Sequence, residues 1–281
     1  MRLLLAGATG TLGRAIVRDL AERRRPARLV VRRPEALPAD LPDSIEVVRA
    51  EVTQPATLAG VMDGVEAVLT TVGITRQRDG LSYMDVDYGA NRALLDAALG
   101  AGVPRFGYVS VFGGRALRDV ALCAAKERFV DELEAAPIES VVLRPTGFFT
   151  DLDAFLDMAR RGRAWLFGDG QQRLNPIHPD DLAAVCLNAL DAGTPEVPAG
   201  GPDVLTHEAI ARLAFDALQR PARVSHLPDA VRRGALAATR WLPGQWTGPA
   251  EFFLAMMGLD LVAPALGQRT LAEHFRAGAA G

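Results

Sequence analysis

The chain has 281 residues, 31 basic and 34 acidic side chains, a net charge of −3 and 49% hydrophobic residues. That length holds one large α/β unit with a small appendage, and the near-neutral balance gives no electrostatic case for nucleic acid or an anionic membrane. The arginines at 23–25 and 32–33 are local clusters in a balanced chain. Cys123 and Cys186 lack any Cys-x-x-Cys or metal-ligand spacing, and the four histidines are dispersed, so buried free thiols and no metal site are expected.

Leu3, Leu4, Leu5 and Ala6 form an apolar run too short for a helix and read as a strand buried on both faces. Gly7, Gly10 and Gly13 follow at Gly-x-x-Gly-x-x-Gly spacing, and from Thr11 onward Leu12, Ile16, Val17 and Leu20 recur with helical period. This strand, turn and helix aim the free N–H groups of the helix at whatever fills the turn, a setting suited to a pyrophosphate. Gly7, Thr9, Gly10, Thr11, Leu12 and Gly13 are the expected dinucleotide contacts. Gly7 makes the tight turn, Gly10 the close approach and Gly13 the helix–strand packing.

Ala27 to Val31 reads as the second strand and ends in Arg32 and Arg33, with no acid between Arg28 and Pro34. A site for NAD usually places an Asp or Glu there, whereas two guanidiniums suit a 2′-phosphate. NADP(H) is therefore expected over NAD(H). The third strand is Ile45 to Arg49, Pro55 to Asp63 a short helix, and Ala67 to Thr71 the fourth strand. Thr75 to Ser82 reads as a loop, either near the substrate or simply on the surface. Asp85 to Leu99 is helical, with Val86, Leu94, Leu95 and Ala98 as core candidates. Phe106 to Val109 is the fifth strand, Val120 to Leu133 a helix containing Lys126, and Ser140 to Leu143 the sixth strand.

These alternations predict a doubly wound parallel sheet of Rossmann type. Pro145 turns the chain at the carboxyl edge, where ligands sit, so Pro145, Thr146 and Phe148 join the expected cofactor contacts. Beyond Asp151 the regularity fades. Leu152 to Arg161 is helical and Ala164 to Phe167 a short strand. A helix opens within Asn175 to Ala183, with Asp180 or Asp181 as its N-cap, another opens at Thr206, and Val224 to Leu227 is a strand. Residues 1–150 are expected to be the dinucleotide-binding core and 151–281 a mixed lobe packed on it as one unit. The first strand starts at residue 3, which leaves no room for a signal peptide, and the apolar stretch 252–266 is too short to span a bilayer. A cytoplasmic protein without membrane insertion is expected.

Six segments, in order, resemble the atypical extended short-chain dehydrogenase/reductases of the NmrA-like and complex-I-subunit-like type: 7–14, 87–91, 106–113, Lys126, 144–149 and 175–183. The resemblance implies that Glu51 and Val52 face the adenine, and that Thr71, Val72 and Gly73 lie beneath the ribose and nicotinamide. It also implies that Asn91 braces the strand ends and that the tail covers a small-molecule substrate. Ser110 matches the family's serine and Lys126 its lysine, which holds the nicotinamide ribose, and both are the expected catalytic residues. For each, a bland reading stays open: a strand-end hydroxyl and a surface lysine on an amphipathic helix.

The departure is Leu122, which stands where the tyrosine of Tyr-x-x-x-Lys belongs. Three readings follow. One is an NADPH-dependent reductase of a conjugated, quinone-like or iminium substrate that needs little help from a protein acid. The others are a non-catalytic NADP(H) sensor and an accessory subunit of a redox complex. If a plain ketone is reduced, Tyr83, Tyr108 and Ser110 are the nearest candidate acids in sequence.

Overall fold

The computed structural model describes residues 1–74, 80–239, 241 and 244–280. The chain opens with β1 (Leu3–Ala6), α1 (Thr11–Glu22), β2 (Ala27–Val31), β3 (Ile45–Arg49) and β4 (Ala67–Thr70). There follow α2 (Asn91–Gly100), β5 (Arg105–Val109), α3 (Ala121–Ala135), β6 (Glu139–Pro145) and α4 (Asp153–Arg160). Next come β7 (Ala164–Phe167), β8 (Arg173–Leu174), α5 (Pro179–Ala192), β9 (Glu196–Ala199) and β10 (Leu205–Thr206). The last elements are α6 (His207–Ala217), β11 (Val224–Leu227), α7 (Asp229–Thr239), α8 (Gly244–Met256) and α9 (Leu271–Ala280).

Seven strands form one parallel sheet in the order β3-β2-β1-β4-β5-β6-β9. The strand order reverses between β1 and β4, the switch point at which ligands bind in doubly wound sheets. Alternation in β1 shows why it must be a central strand. Leu3 and Leu5 join the core beneath α1 and α5, while Leu4 and Ala6 join the opposite core beneath α2 and α3. A third apolar cluster unites α4, α6 and α9 with β7, whereas α5 and β9, although beyond residue 150, belong to the first core and the main sheet, so the expected boundary at 150 does not divide the packing. The loop read at 75–82, near the substrate or simply on the surface, falls mostly on 75–79, outside the described residues.

The sequence reading and the structure differ at several elements, the two-residue strands β8 and β10 among them. Pro55–Leu58 is a 3₁₀ turn that stops before Gly60, whose φ of +74° ends it. The predicted helix 85–99 begins as a π-helical stretch, Met84–Ala90, before α2. Such widened turns recur at functional sites, and this one turns both Asp87 and Asn91 fully inward. β9 was not foreseen: Pro198 interrupts its apolar signal, and it is tolerated because β9 is an edge strand. The N-cap of α5 is His178, whose Nδ1 accepts the Asp180 N–H at 3.2 Å. Asp180 and Asp181 lie inside the first turn and pair with Arg18 and Arg269.

Candidate cofactor site and strand-end charge pair

Two of the three fingerprint glycines are required by the protein's own packing. Gly7 has φ +88°, and a Cβ there would meet Thr71 Oγ1 at 2.4 Å. A Cβ on Gly13 would meet the Gly7 carbonyl oxygen at 2.0 Å. Gly10 differs, because a Cβ there would approach nothing closer than 3.5 Å. Its backbone is extended, and it starts α1 with no side-chain cap and no acid in the first turn. Open space above uncapped helix N–H groups is the cradle a pyrophosphate needs, so these residues fit a dinucleotide. Thr9 and Thr11 are exposed beside it, while the Leu12 side chain is buried in the core.

Arg32 and Arg33 are exposed just beyond β2. Arg32 Nε lies 3.5 Å from Glu51 Oε2, and Glu51 Oε1 accepts from the Thr53 N–H and hydroxyl at 3.2 and 2.9 Å. The Glu51 carboxylate is thus folded back onto Thr53 and Arg32, and the neighbouring Val52 is half-buried against the core.

At the ends of β4 and β5 the structure gathers residues far apart in sequence. Asn91 accepts from Thr70 Oγ1 at 2.7 Å and donates to Val72 O at 3.1 Å and Asp87 O at 2.9 Å, which fixes the Thr71–Val72–Gly73 strand end. Lys126, the sole lysine of the chain, reaches from α3 to this point. Its Nζ lies 3.0 Å from Asp87 Oδ1 and 3.5 Å from both Tyr108 OH and Val109 O. Asp87 Oδ2 also accepts the Ile74 N–H at 3.1 Å. A Cβ on Gly73 would meet Asp87 Oδ1 at 2.6 Å, so only glycine lets the strand end lie against the pair. Burial pushes the Asp87 carboxyl up, with Lys126 pulling the other way. Burial opposes the Lys126 charge, but Tyr108 and Asp87 outweigh it and hold the ammonium's pKa above its ordinary value.

Ser110 does not join that group. Its hydroxyl donates to Glu127 Oε1 at 2.7 Å. Glu127 is fully buried and receives Arg144 Nη1 at 2.6 Å and Nη2 at 3.0 Å. Thr146 is likewise committed, donating to Asn175 O at 2.6 Å, and Phe148 bridges to Ile177 beyond Pro145, the last residue of β6. Sequence reasoning missed Glu127. A signal existed in Arg144, which ends the apolar run Val141-Val-Leu and, if buried, demands a buried acid partner.

Leu122 is buried in a small apolar patch with Tyr83 and Ala125, edged by Ile74, Tyr88 and Phe252 of α8. Burial, then Asp87 and Glu251, push the Tyr83 phenol up to about 12. The lobe also grips α3 here, since Glu251 accepts the Ala121 N–H at 3.2 Å. A cleft of about 380 Å³ opens elsewhere, between α1 and α5, and no fingerprint glycine lines it. Its Arg18, Asp180, Asp181 and Arg269 pair with one another, so it is not the candidate site.

A sequence family described as NAD(P)H-binding matches residues 7–193. The chain belongs to this family. It is 31% identical over 257 residues to the chloroplastic divinyl chlorophyllide a 8-vinyl-reductase of Zea mays, covering 80% of this chain and 61% of the maize protein. It is 26% identical over 249 residues to the mitochondrial NADH dehydrogenase [ubiquinone] 1 alpha subcomplex subunit 9 of Arabidopsis thaliana, covering 83% and 62%. The chain therefore spans about three fifths of the length of these relatives. Its fold matches the NADPH-dependent quinone oxidoreductase QOR2 of Escherichia coli, solved with NADPH, at a TM-score of 0.79 and 20% identity over 98% of this chain and 99% of that one. NAD(P)H binding and the Rossmann sheet are the family's common ground, and the complex-I-like resemblance drawn from the sequence is met by the Arabidopsis subunit.

Proposed function

We propose that the protein is an NADPH-dependent reductase that delivers hydride to an activated small molecule, conjugated or quinone-like. The observation that carries this reading is Leu122, sealed in apolar contacts where a phenolic acid would have to stand. With no acid there, an alkoxide product is disfavoured, because a positioned donor is typically worth about 10²–10⁴-fold. A hydride adduct that is a delocalised anion spreads its charge before a proton arrives. When bound, the nicotinamide supplies the hydride. The α1 N-terminus and Gly10 hold the pyrophosphate, Arg32 and Arg33 the 2′-phosphate, and the Lys126 ammonium, fixed by Asp87, the ribose. The Ser110 proton is spent on Glu127, so Lys126 alone among the expected catalytic pair faces the reaction. α4, α6, α9 and β7 act with α8 as a covering lobe that excludes water, while α5 and β9 belong to the sheet and its core. The names of the maize and Escherichia coli proteins, a vinyl reductase and a quinone oxidoreductase, agree with acceptors of this kind.

The deciding experiment is NADPH oxidation against a panel of quinones, enones and plain aliphatic ketones. Turnover of quinones or enones with ketones left almost untouched is expected, and efficient reduction of a plain ketone overturns the reading. A second reading, an accessory or sensing module, is favoured by the Arabidopsis complex I subunit among the relatives. It predicts different affinities for NADP⁺ and NADPH and no turnover with any of the panel.

A further inference from the structure

The overall charge of −3 conceals a strong local excess of the opposite sign. Arg160, Arg161 and Arg163 lie in the turn from α4 into β7, and Arg220 and Arg223 lead into β11. β7 and β11 pair in parallel from Ala164 opposite Val224, which places both arginine segments at the same end of the two-stranded ribbon. The two segments are tied together there: the Arg220 guanidinium donates from Nη1 to Arg160 O, and the Ala164 N–H to Arg223 O, each at 2.9 Å. The two segments 157–165 and 216–225 hold five arginines against Asp157 and Asp216, a balance of +3. Asp157 is paired with Arg160 at 2.9 Å.

Beside this cluster Trp165 points outward from β7, 51% exposed. The Arg163 guanidinium lies 5.6 Å from its ring centroid and donates to Ser225 Oγ at 2.6 Å, so cation and ring are held together. α7 packs against β7 yet buries little of itself, since Thr239 is the buried residue of that helix. Its Val231 is 48% exposed, and Trp241 just beyond it is 90% exposed.

We infer that the β7–β11 ribbon, extended by α7, is a docking surface for anionic phospholipid bilayers. Arginine forks match lipid phosphates, and tryptophan rings settle at the headgroup level, with an apolar body inward and a polar N–H in water. An acidic polypeptide matches the arginines alone. The outward tryptophans and Val231 favour a surface that is charged above and apolar below. Among the described residues no helix is long and apolar enough to cross a membrane, so the attachment is peripheral. It is independent of whether the cofactor site turns over.

The test is co-sedimentation of the whole chain with phosphatidylcholine vesicles, with and without phosphatidylglycerol, at low and high salt. Binding to the anionic vesicles that falls as salt rises, with a blue shift of tryptophan emission, is expected. Each arginine near an anionic surface is worth about fivefold (about 1 kcal/mol), so Arg161→Glu with Arg223→Glu should weaken binding by about 25-fold or more. Trp165→Ser should weaken binding while leaving its salt dependence. Nucleotide affinity, read by calorimetry, should stay at the parental value in these variants. Equal binding to neutral vesicles, no binding to anionic ones at low salt, or undiminished binding by the double variant overturns the inference. So does a preference for soluble polyglutamate over anionic vesicles.

Discussion

Lys126 and Glu127 are neighbours on α3, yet they carry opposite charges into two differently built surroundings. Glu127 accepts three hydrogen bonds within 3.0 Å, from Ser110 and both arms of Arg144, and is fully enclosed. Lys126 has one close partner, Asp87 at 3.0 Å, two longer contacts at 3.5 Å, and a side chain still 14% exposed. Both pairs carry the cost of removing charge from water. Only the first recovers it with a full set of partners, which makes it framework. The second has one close and two long contacts at the strand ends, which is the looser arrangement the proposed ribose-holding role calls for. The fingerprint repeats the contrast, with Gly7 and Gly13 locked by close contacts and Gly10 in ordinary contact with the Gly7 carbonyl oxygen alone, at 3.5 Å.

The largest expected effect is on the framework side. Glu127→Ala leaves the Arg144 guanidinium buried with Glu196, 3.2 Å from its Nε, as its remaining acid. Breaking a buried pair in this way typically costs about 3–5 kcal/mol, read as a drop in the urea midpoint with an unchanged slope. A loss well below ~1 kcal/mol, the range of an exposed pair, would erase the distinction between the two sides of α3.

Gly10→Val should act in the opposite manner. Nucleotide affinity should collapse while the melting temperature stays near the parent, because a Cβ there comes no closer than 3.5 Å, to the Gly7 carbonyl oxygen, an ordinary contact. Gly13→Val, by contrast, drives a Cβ into the Gly7 carbonyl and should not fold. If Gly10→Val binds NADPH as well as the parent by calorimetry, the cradle is not where the pyrophosphate lies.

Cofactor choice comes next. Charge-assisted hydrogen bonds are worth about 1.5–3 kcal/mol each, so two guanidiniums on a 2′-phosphate give a preference for NADPH of about a hundredfold or more. Arg32→Glu with Arg33→Ser should reverse it. Glu51 sharpens the point, since its carboxylate competes for Arg32 at 3.5 Å. Glu51→Gln should raise the NADPH preference, and equal affinity of the parent for NADPH and NADH would remove the argument altogether.

How much of this was legible beforehand follows the same divide. β1 and β6 were readable because buried strands announce themselves as short apolar runs closed by glycine or proline, and the fingerprint because its spacing is local. The Asp87–Lys126 contact joins α3 to a π-helical stretch 39 positions earlier, and a π-turn looks in sequence like any helix. Glu127 reads as one more surface acid on an amphipathic helix, and its burial is decided by Arg144 in the next element. The arginine cluster of the lobe was hidden twice, by a net charge that averages it away and by a strand pairing that brings 160–163 beside 220–223. Local pattern is written in the sequence, and the partners of charges are written in the topology.

The smallest effect is the most direct probe of the Lys126 side. Asp87 and Tyr108 hold the folded pKa of Lys126 above its ordinary value of about 10.5. The sign follows from linkage: a cation whose folded pKa is raised contributes stability that is fully present below the unfolded pKa. That contribution is lost as pH rises through the folded one. The parent should therefore lose stability above about pH 10.5 in excess of Lys126→Met, and the two should run parallel below it. Because the chain has a single lysine, selective isotope labelling of that residue gives one side-chain resonance, free of overlap. It should stay in its ammonium form past the pH at which an exposed lysine deprotonates, and Asp87→Asn should bring its midpoint down. A resonance that titrates like a free lysine in the folded parent would place the ammonium in solvent, and the ribose-holding role would go with it.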